Sequence, residues 1–158
     1  MSTDRIPITP GGFKKLQEEL HRMKTVERPQ VIKMIEYARS LGDLSENAEY
    51  ETAKDRQSFV EGRIQELESR IARAEIIDPS TLPNKDRVMF GVRVTIEEIE
   101  TGKTVNYQLV GPDESEPENG LISVTSPIGR ALVGKQVDDE VRVQTPGGIR
   151  EFVLLKIE

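Results

Sequence analysis

Tyr50, Ala53, Gln57, Val60, Ile64, Leu67, Ile71 and Ala74 alternate steps of three and four, and charged residues fill most of the positions between them. A seam held over eight positions is a coiled-coil helix, and its apolar stripe must be buried against another helix. The partner lies upstream. Phe13, Leu16, Leu20 and Met23 follow the same spacing, which slips by one residue around Arg28-Pro29 and resumes as Val31, Ile35 and Ala38. Thr9-Pro10 reads as a cap followed by proline at the first helical position. A first helix is therefore predicted from about Pro10 to Ser40 or Leu41, with Pro29 kinking or restarting it rather than ending it. The connection around Gly42 is short, so the helices are expected antiparallel. At ~1.5 Å per residue, a hairpin of about 30-residue arms is roughly 45 Å long.

After Asp78-Pro79-Ser80-Thr81-Leu82-Pro83-Asn84, which reads as a linker, the period changes from helical to two. Val92, Val94 and Ile96 alternate, as do Val105, Tyr107 and Leu109, with Glu100 to Lys103 as the turn between them. An acidic loop, Pro112 to Gly120, precedes a strand at Leu121 to Val124. Ser126-Pro127 opens a short helix, predicted from Pro127 to Val133 and stopped by Gly134. Val141 to Val143 and Phe152 to Leu155 flank Pro146-Gly147-Gly148 as a hairpin. The expected class is α+β. Residues 1–78 are read as an antiparallel coiled-coil domain, 79–84 as a linker, and 85–158 as a small antiparallel sheet with one helix against it.

Composition narrows the chemistry. The 158 residues carry a formal net charge of −6, and neither half is basic, which argues against a general grip on nucleic acid. There is no cysteine and one histidine, His21, so disulfides, thiolate sites and histidine-based zinc sites are excluded. No signal peptide opens the sequence and no run approaches the ~20 apolar residues of a membrane span. The expectation is a cytoplasmic protein. Because the two helices satisfy each other's seam, a monomer is expected.

The candidate site lies where the hairpin turns. Gly42-Asp43-Leu44-Ser45-Glu46-Asn47-Ala48-Glu49-Tyr50 puts two carboxylates, Asp43 and Glu46, at its tip. They form a half-set of magnesium ligands: a hard cation takes one or two carboxylates and keeps waters or borrows other ligands. Asp-x-x-Glu at a helix start is equally a capping box, with Asp43 as the cap and Glu46 folding back. Spacing alone leaves both readings open. Arg39, Lys54 and Arg56 stand near the tip as phosphate contacts or as members of ordinary helical ion pairs. Tyr50 is read as a seam residue, and Phe90, Tyr107 and Phe152 as core or as the lining of a pocket.

The tip sequence resembles the signature of the bacterial Gre transcript-cleavage factors. Glu61-Gly62-Arg63-Ile64, Leu121-Ile122-Ser123-Val124, Ser126-Pro127-Ile128, Gly134-Lys135 and Thr145-Pro146-Gly147-Gly148 agree in order along the chain. The resemblance implies that the second domain has a fold like FK506-binding prolyl isomerases and docks on bacterial RNA polymerase. It implies that the coiled coil enters the secondary channel and stimulates cleavage of the extruded RNA 3′ end in backtracked complexes. On it, Asp43 and Glu46 become the catalytic acids, sharing Mg2+ with the polymerase. Arg39 and Lys54 become RNA contacts, and Ser126, Pro127 and Ile128 polymerase contacts. The low basic content beside the coiled coil is similar to the A branch of the family. The factor itself would not be an enzyme. Two rivals are carried forward: a prolyl isomerase or chaperone with a coiled-coil clamp, and an inhibitory paralogue occupying the same channel.

Overall fold

A computed structural model of the chain describes residues 5–43, 47–81 and 86–158. Helix α1 (Pro10–Arg22) starts where Thr9 accepts the Gly12 N–H on its hydroxyl at 3.0 Å, with Pro10 in the first turn. It runs into a π-helical segment, Met23–Glu27, followed by α2 (Arg28–Ser40) and, after the turn, α3 (Ala48–Arg73).

The π segment is the physical form of the slip in the seam. One extra residue between Met23 and Val31 would rotate every later apolar side chain off the stripe. Widening one turn to i→i+5 absorbs it: the Arg28 N–H bonds back to the Met23 carbonyl. Pro29 follows at once, where its missing donor and its ring would disrupt a regular turn. The seam is thereby restored, and Leu16, Met23, Val31, Ile35 and Ala38 are buried with Ala53, Val60, Ile64 and Leu67. The expected eighth seam position, Ala74, is not helical. α3 ends at Arg73, and Ala74 opens a strand.

Ion pairs bind the helices across the seam. Arg28 grips Glu61 through two bonds of 2.9 and 2.8 Å, and Arg63 grips Glu19 through two of 2.8 and 2.9 Å. Arg56 pairs with Glu27 at 3.0 Å and lies over the Phe59 ring at 5.1 Å.

Strand β1 (Ile6–Ile8) pairs in parallel with β2 (Ala74–Ile76). Parallel neighbours need a long crossover, and here the whole helical segment serves as one. Residues 13–73 form one compact unit, and residues 5–12 with 74–158 form the other. The first strand thus belongs with the sheet-bearing unit, a boundary that periodicity does not mark. Residues 79–81 form a short 3-10 turn in that unit, held by the Asp78 carboxylate, which accepts the Ser80 N–H at 2.9 Å.

The main sheet comprises β3 (Arg93–Glu98), β4 (Thr104–Val110), β5 (Leu121–Ser123), β6 (Glu140–Thr145) and β7 (Gly148–Ile157), in the order β5-β4-β3-β7-β6. It is mixed rather than antiparallel. β5 pairs with β4 in parallel, Leu109 opposite Ile122. The acidic loop causes this. Two 3-10 turns, Pro112–Glu114 and Pro117–Asn119, carry the chain back along β4 before β5 begins. Helix α4 (Pro127–Leu132) closes one face over Val94, Ile96, Leu109, Val141, Phe152 and Leu154. Gly129 is required in it, since a Cβ there would fall 2.0 Å from the Ser123 carbonyl oxygen.

Candidate functional site at the hairpin tip

The turn between α2 and α3 is tied by one side chain. Asn47 accepts the Tyr50 N–H on Oδ1 at 3.0 Å, the geometry of an N-cap, and donates from Nδ2 to the Ala38 carbonyl at 2.6 Å. That carbonyl belongs to the last turn of α2 and also accepts the Leu41 N–H at 3.2 Å. A single amide therefore ties the end of one helix to the start of the next, where the Tyr50 N–H needs a cap. Gly42 completes the turn with φ +103°, a conformation that glycine adopts without strain, and its N–H reaches the Arg39 carbonyl at 3.3 Å.

α3 starts at Ala48, and the acceptor at its start is Asn47. Asp43 sits on the turn with its residue surface exposed. Glu46, the second expected acid, lies outside the described residues. Among the described residues no group of three His, Cys, Asp or Glu side chains gathers to hold a metal. Asp43 brings a hard carboxylate oxygen to the turn, the donor type that magnesium takes.

The basic residues divide. Lys54 Nζ donates to Gln57 at 3.1 Å, and Arg39, in the last turn of α2, is exposed. Arg39 lies two turns beyond Ile32 and Lys54 two turns before Glu61, and Ile32 and Glu61 line the same shallow groove beside Val31 and Val60. Both cations thus fall on one flank of the hairpin. Arg56, by contrast, is held by Glu27 and Phe59. Tyr50 is half-buried, consistent with a seam position.

In the sheet-bearing unit, Ser126, Pro127 and Ile128 border a cavity of about 280 Å3, whose other walls include Tyr107, Thr145, Pro146 and Phe152. Ser126 is committed to the fold: its hydroxyl caps α4 through the Gly129 N–H at 3.1 Å and donates to the Ser123 carbonyl at 2.6 Å. Pro127 is exposed and Ile128 half-buried. Arg150 lies over the Phe152 ring at 5.2 Å and bonds Glu98 at 2.6 Å. That bond, with a second from Thr101, holds the Glu98 carboxyl below the usual range and pushes Arg150 up. Phe90 is not in the cavity wall. Sequence reasoning missed Asn47, although an asparagine directly before Ala48-Glu49-Tyr50 carried the signal. It also missed the Glu98–Arg150 pair, which joins residues 52 positions apart.

Two family models match, and both describe transcription elongation factors: an N-terminal domain over residues 6–76 and the GreA/GreB C-terminal domain over residues 83–158. The chain is 53% identical over 152 residues to Transcription elongation factor GreA of Verminephrobacter eiseniae, covering 96% of each sequence. It is 54% identical over 154 residues to the protein of the same name from Syntrophus aciditrophicus, covering 98% of this chain and 95% of that one. A solved structure, GreA factor homolog 1 (Gfh1) of Thermus thermophilus, aligns at 28% identity over 98% of this chain and 99% of that one, with a TM-score of 0.45. The chain belongs to the GreA/GreB family of transcription elongation factors. Among its described residues, no helix is long and apolar enough to cross a membrane.

Proposed function

We propose that this chain acts on bacterial RNA polymerase halted in a backtracked state. It enters the secondary channel hairpin first and stimulates cleavage of the extruded RNA 3′ end. The observation that carries this reading is an acid, Asp43, exposed on the turn between the two helices of a GreA/GreB-family hairpin. Asp43 and Glu46 would offer carboxylate oxygens to Mg2+ beside carboxylates owned by the polymerase. When bound, the ion supplies charge stabilisation and an activated water in the manner of two-metal centres. The acids of this chain orient that water, and the chain itself performs no turnover. Arg39 and Lys54, on one flank, meet the RNA phosphates. Pro127 and Ile128, on the rim of the sheet-unit cavity, meet the polymerase, with Ser126 holding α4 in place beneath them. The factor works as a monomer in the cytoplasm.

The test uses polymerase stalled in a backtracked complex with magnesium and follows the RNA 3′ end. Asp43→Asn and Glu46→Gln are each expected to slow factor-stimulated cleavage by about 100-fold or more, the scale for removing one electrostatic stabiliser from a reaction centre. Binding to polymerase should persist. Cleavage at the unmodified rate in both variants sinks the assignment, and a factor that binds and only blocks is the inhibitory paralogue. A second reading, a peptidyl-prolyl isomerase of FK506-binding type, has one observation in its favour, the two aromatics in the cavity wall. It requires isomerase activity that Ile128→Ser reduces and the tip variants leave alone.

A further inference from the structure

The flank of the hairpin opposite Arg39 and Lys54 is apolar. Met34, Tyr37 and Leu41 follow one another at helical spacing on α2, with 41%, 58% and 50% of their surfaces exposed. Met34 and Tyr37 join Ala48, Glu49 and Thr52 of α3 around a shallow concavity of about 250 Å3. Phe59, two turns below Thr52 on α3, is also exposed, at 59%. Aromatic and methionine side chains gathered outside a core mark an interaction surface rather than random exposure.

The charges say what kind of partner fits. Among the described residues, Glu49 is the one charged residue in the wall of the concavity. Arg56, one turn below Thr52, is engaged by Glu27 and the Phe59 ring. A phosphate backbone approaching this flank would meet a carboxylate and no cation of the wall, which is the reverse of what RNA recognition needs. An apolar protein segment carrying a lysine or arginine would bury against Met34 and Tyr37 and pair with Glu49.

We propose that Met34, Tyr37, Ala48 and Thr52 form a docking ledge for an apolar, basic-tipped segment of the polymerase channel wall. Seated there, the ledge fixes the rotation of the hairpin so that Arg39 and Lys54 face the RNA. This rests on the reading that the hairpin enters RNA polymerase. Leu41 directly precedes the Gly42-Asp43 turn.

The experiment is competition of unlabelled variants against fluorescent wild-type factor on core RNA polymerase that holds no nucleic acid. Met34→Ser with Tyr37→Ser should raise the half-displacing concentration about tenfold, as loss of a central apolar anchor does. The Met34→Leu, Tyr37→Phe pair should restore displacement. Thermal melts of the serine variant should match wild type, since neither side chain belongs to the buried seam. Displacement within twofold of wild type overturns the proposal. So does a defect confined to complexes with extruded RNA, which would make Tyr37 a stacking platform for a base. Wild-type self-association that the serine variant abolishes would make the occupant a second copy and also overturns it. If wild type itself fails to bind polymerase, the functional reading falls first, and that result is distinct from all the others.

Discussion

At the tip one amide group caps α3. Asn47 needs both ends of its side chain, an acceptor for the Tyr50 N–H and a donor for the Ala38 carbonyl. Asn47→Ala removes the cap and the inter-helix bond, leaving the Ala38 carbonyl with the Leu41 N–H alone, and is expected to destabilise the helical unit by about 1–2 kcal/mol. Asn47→Asp keeps the acceptor but loses the donor and sets a negative charge against a carbonyl oxygen, so its melting temperature should lie between wild type and alanine. Amide exchange at Tyr50 reports the cap directly: fast in the alanine variant, protected in the aspartate variant. Both Asp43 and Asn47 are plain in the sequence as acceptors near a helix start. Which of them caps was not, because the choice depends on where α3 begins, and that is set by the Asn47 bond to Ala38 on the other helix.

Elements obey the seam, and the π segment is its repair. Met23 to Val31 spans eight residues where a heptad allows seven, and the Met23–Glu27 segment holds the surplus. Deleting Thr25 together with Pro29→Ala removes both the surplus residue and the helix-breaking ring. The variant should keep a cooperative melt with Val31, Ile35 and Ala38 still in the seam, and far-UV circular dichroism should show no loss of helix. Loss of the cooperative transition would mean that the π segment is needed for more than register. The slip was legible at sequence level as a miscount, but its form was not. A kink, a break and a wide turn all cost one residue of phase. Only packing of both flanking segments on the same partner helix selects the wide turn. At the other end, Ala74 kept the heptad phase yet became a strand, because pairing with Ile6 satisfied its backbone better than another half-turn of helix.

At the scale of the molecule, long-range polar pairs hold the sheet-bearing unit where periodicity is silent. Glu98, at the end of β3, bonds Arg150 of β7, and its carboxyl is held below the usual range by that bond first and by Thr101 second. A depressed folded-state pKa stabilises the unit when the group is ionised in both states. That contribution is complete at neutral pH. It is lost as pH falls below the ordinary glutamate value of about 4.3 toward the lower folded value. Glu98→Gln should therefore melt at a lower temperature than wild type near pH 7 and converge with it near pH 3, as followed by thermal melts across that range. Parallel curves at all pH values would assign the effect to packing. The chain's own pattern determined the helical hairpin, the strands of the main sheet and the short capped helix, because each is a local periodicity or a local cap. Tertiary structure alone decided the parallel seating of β5, the union of β1 with β2, the Asn47 bridge and the pairing of Glu98 with Arg150. Those are contacts between residues distant in sequence. They are chosen by which backbone and side-chain groups remain unsatisfied once the local elements have formed, and no local pattern encodes that remainder.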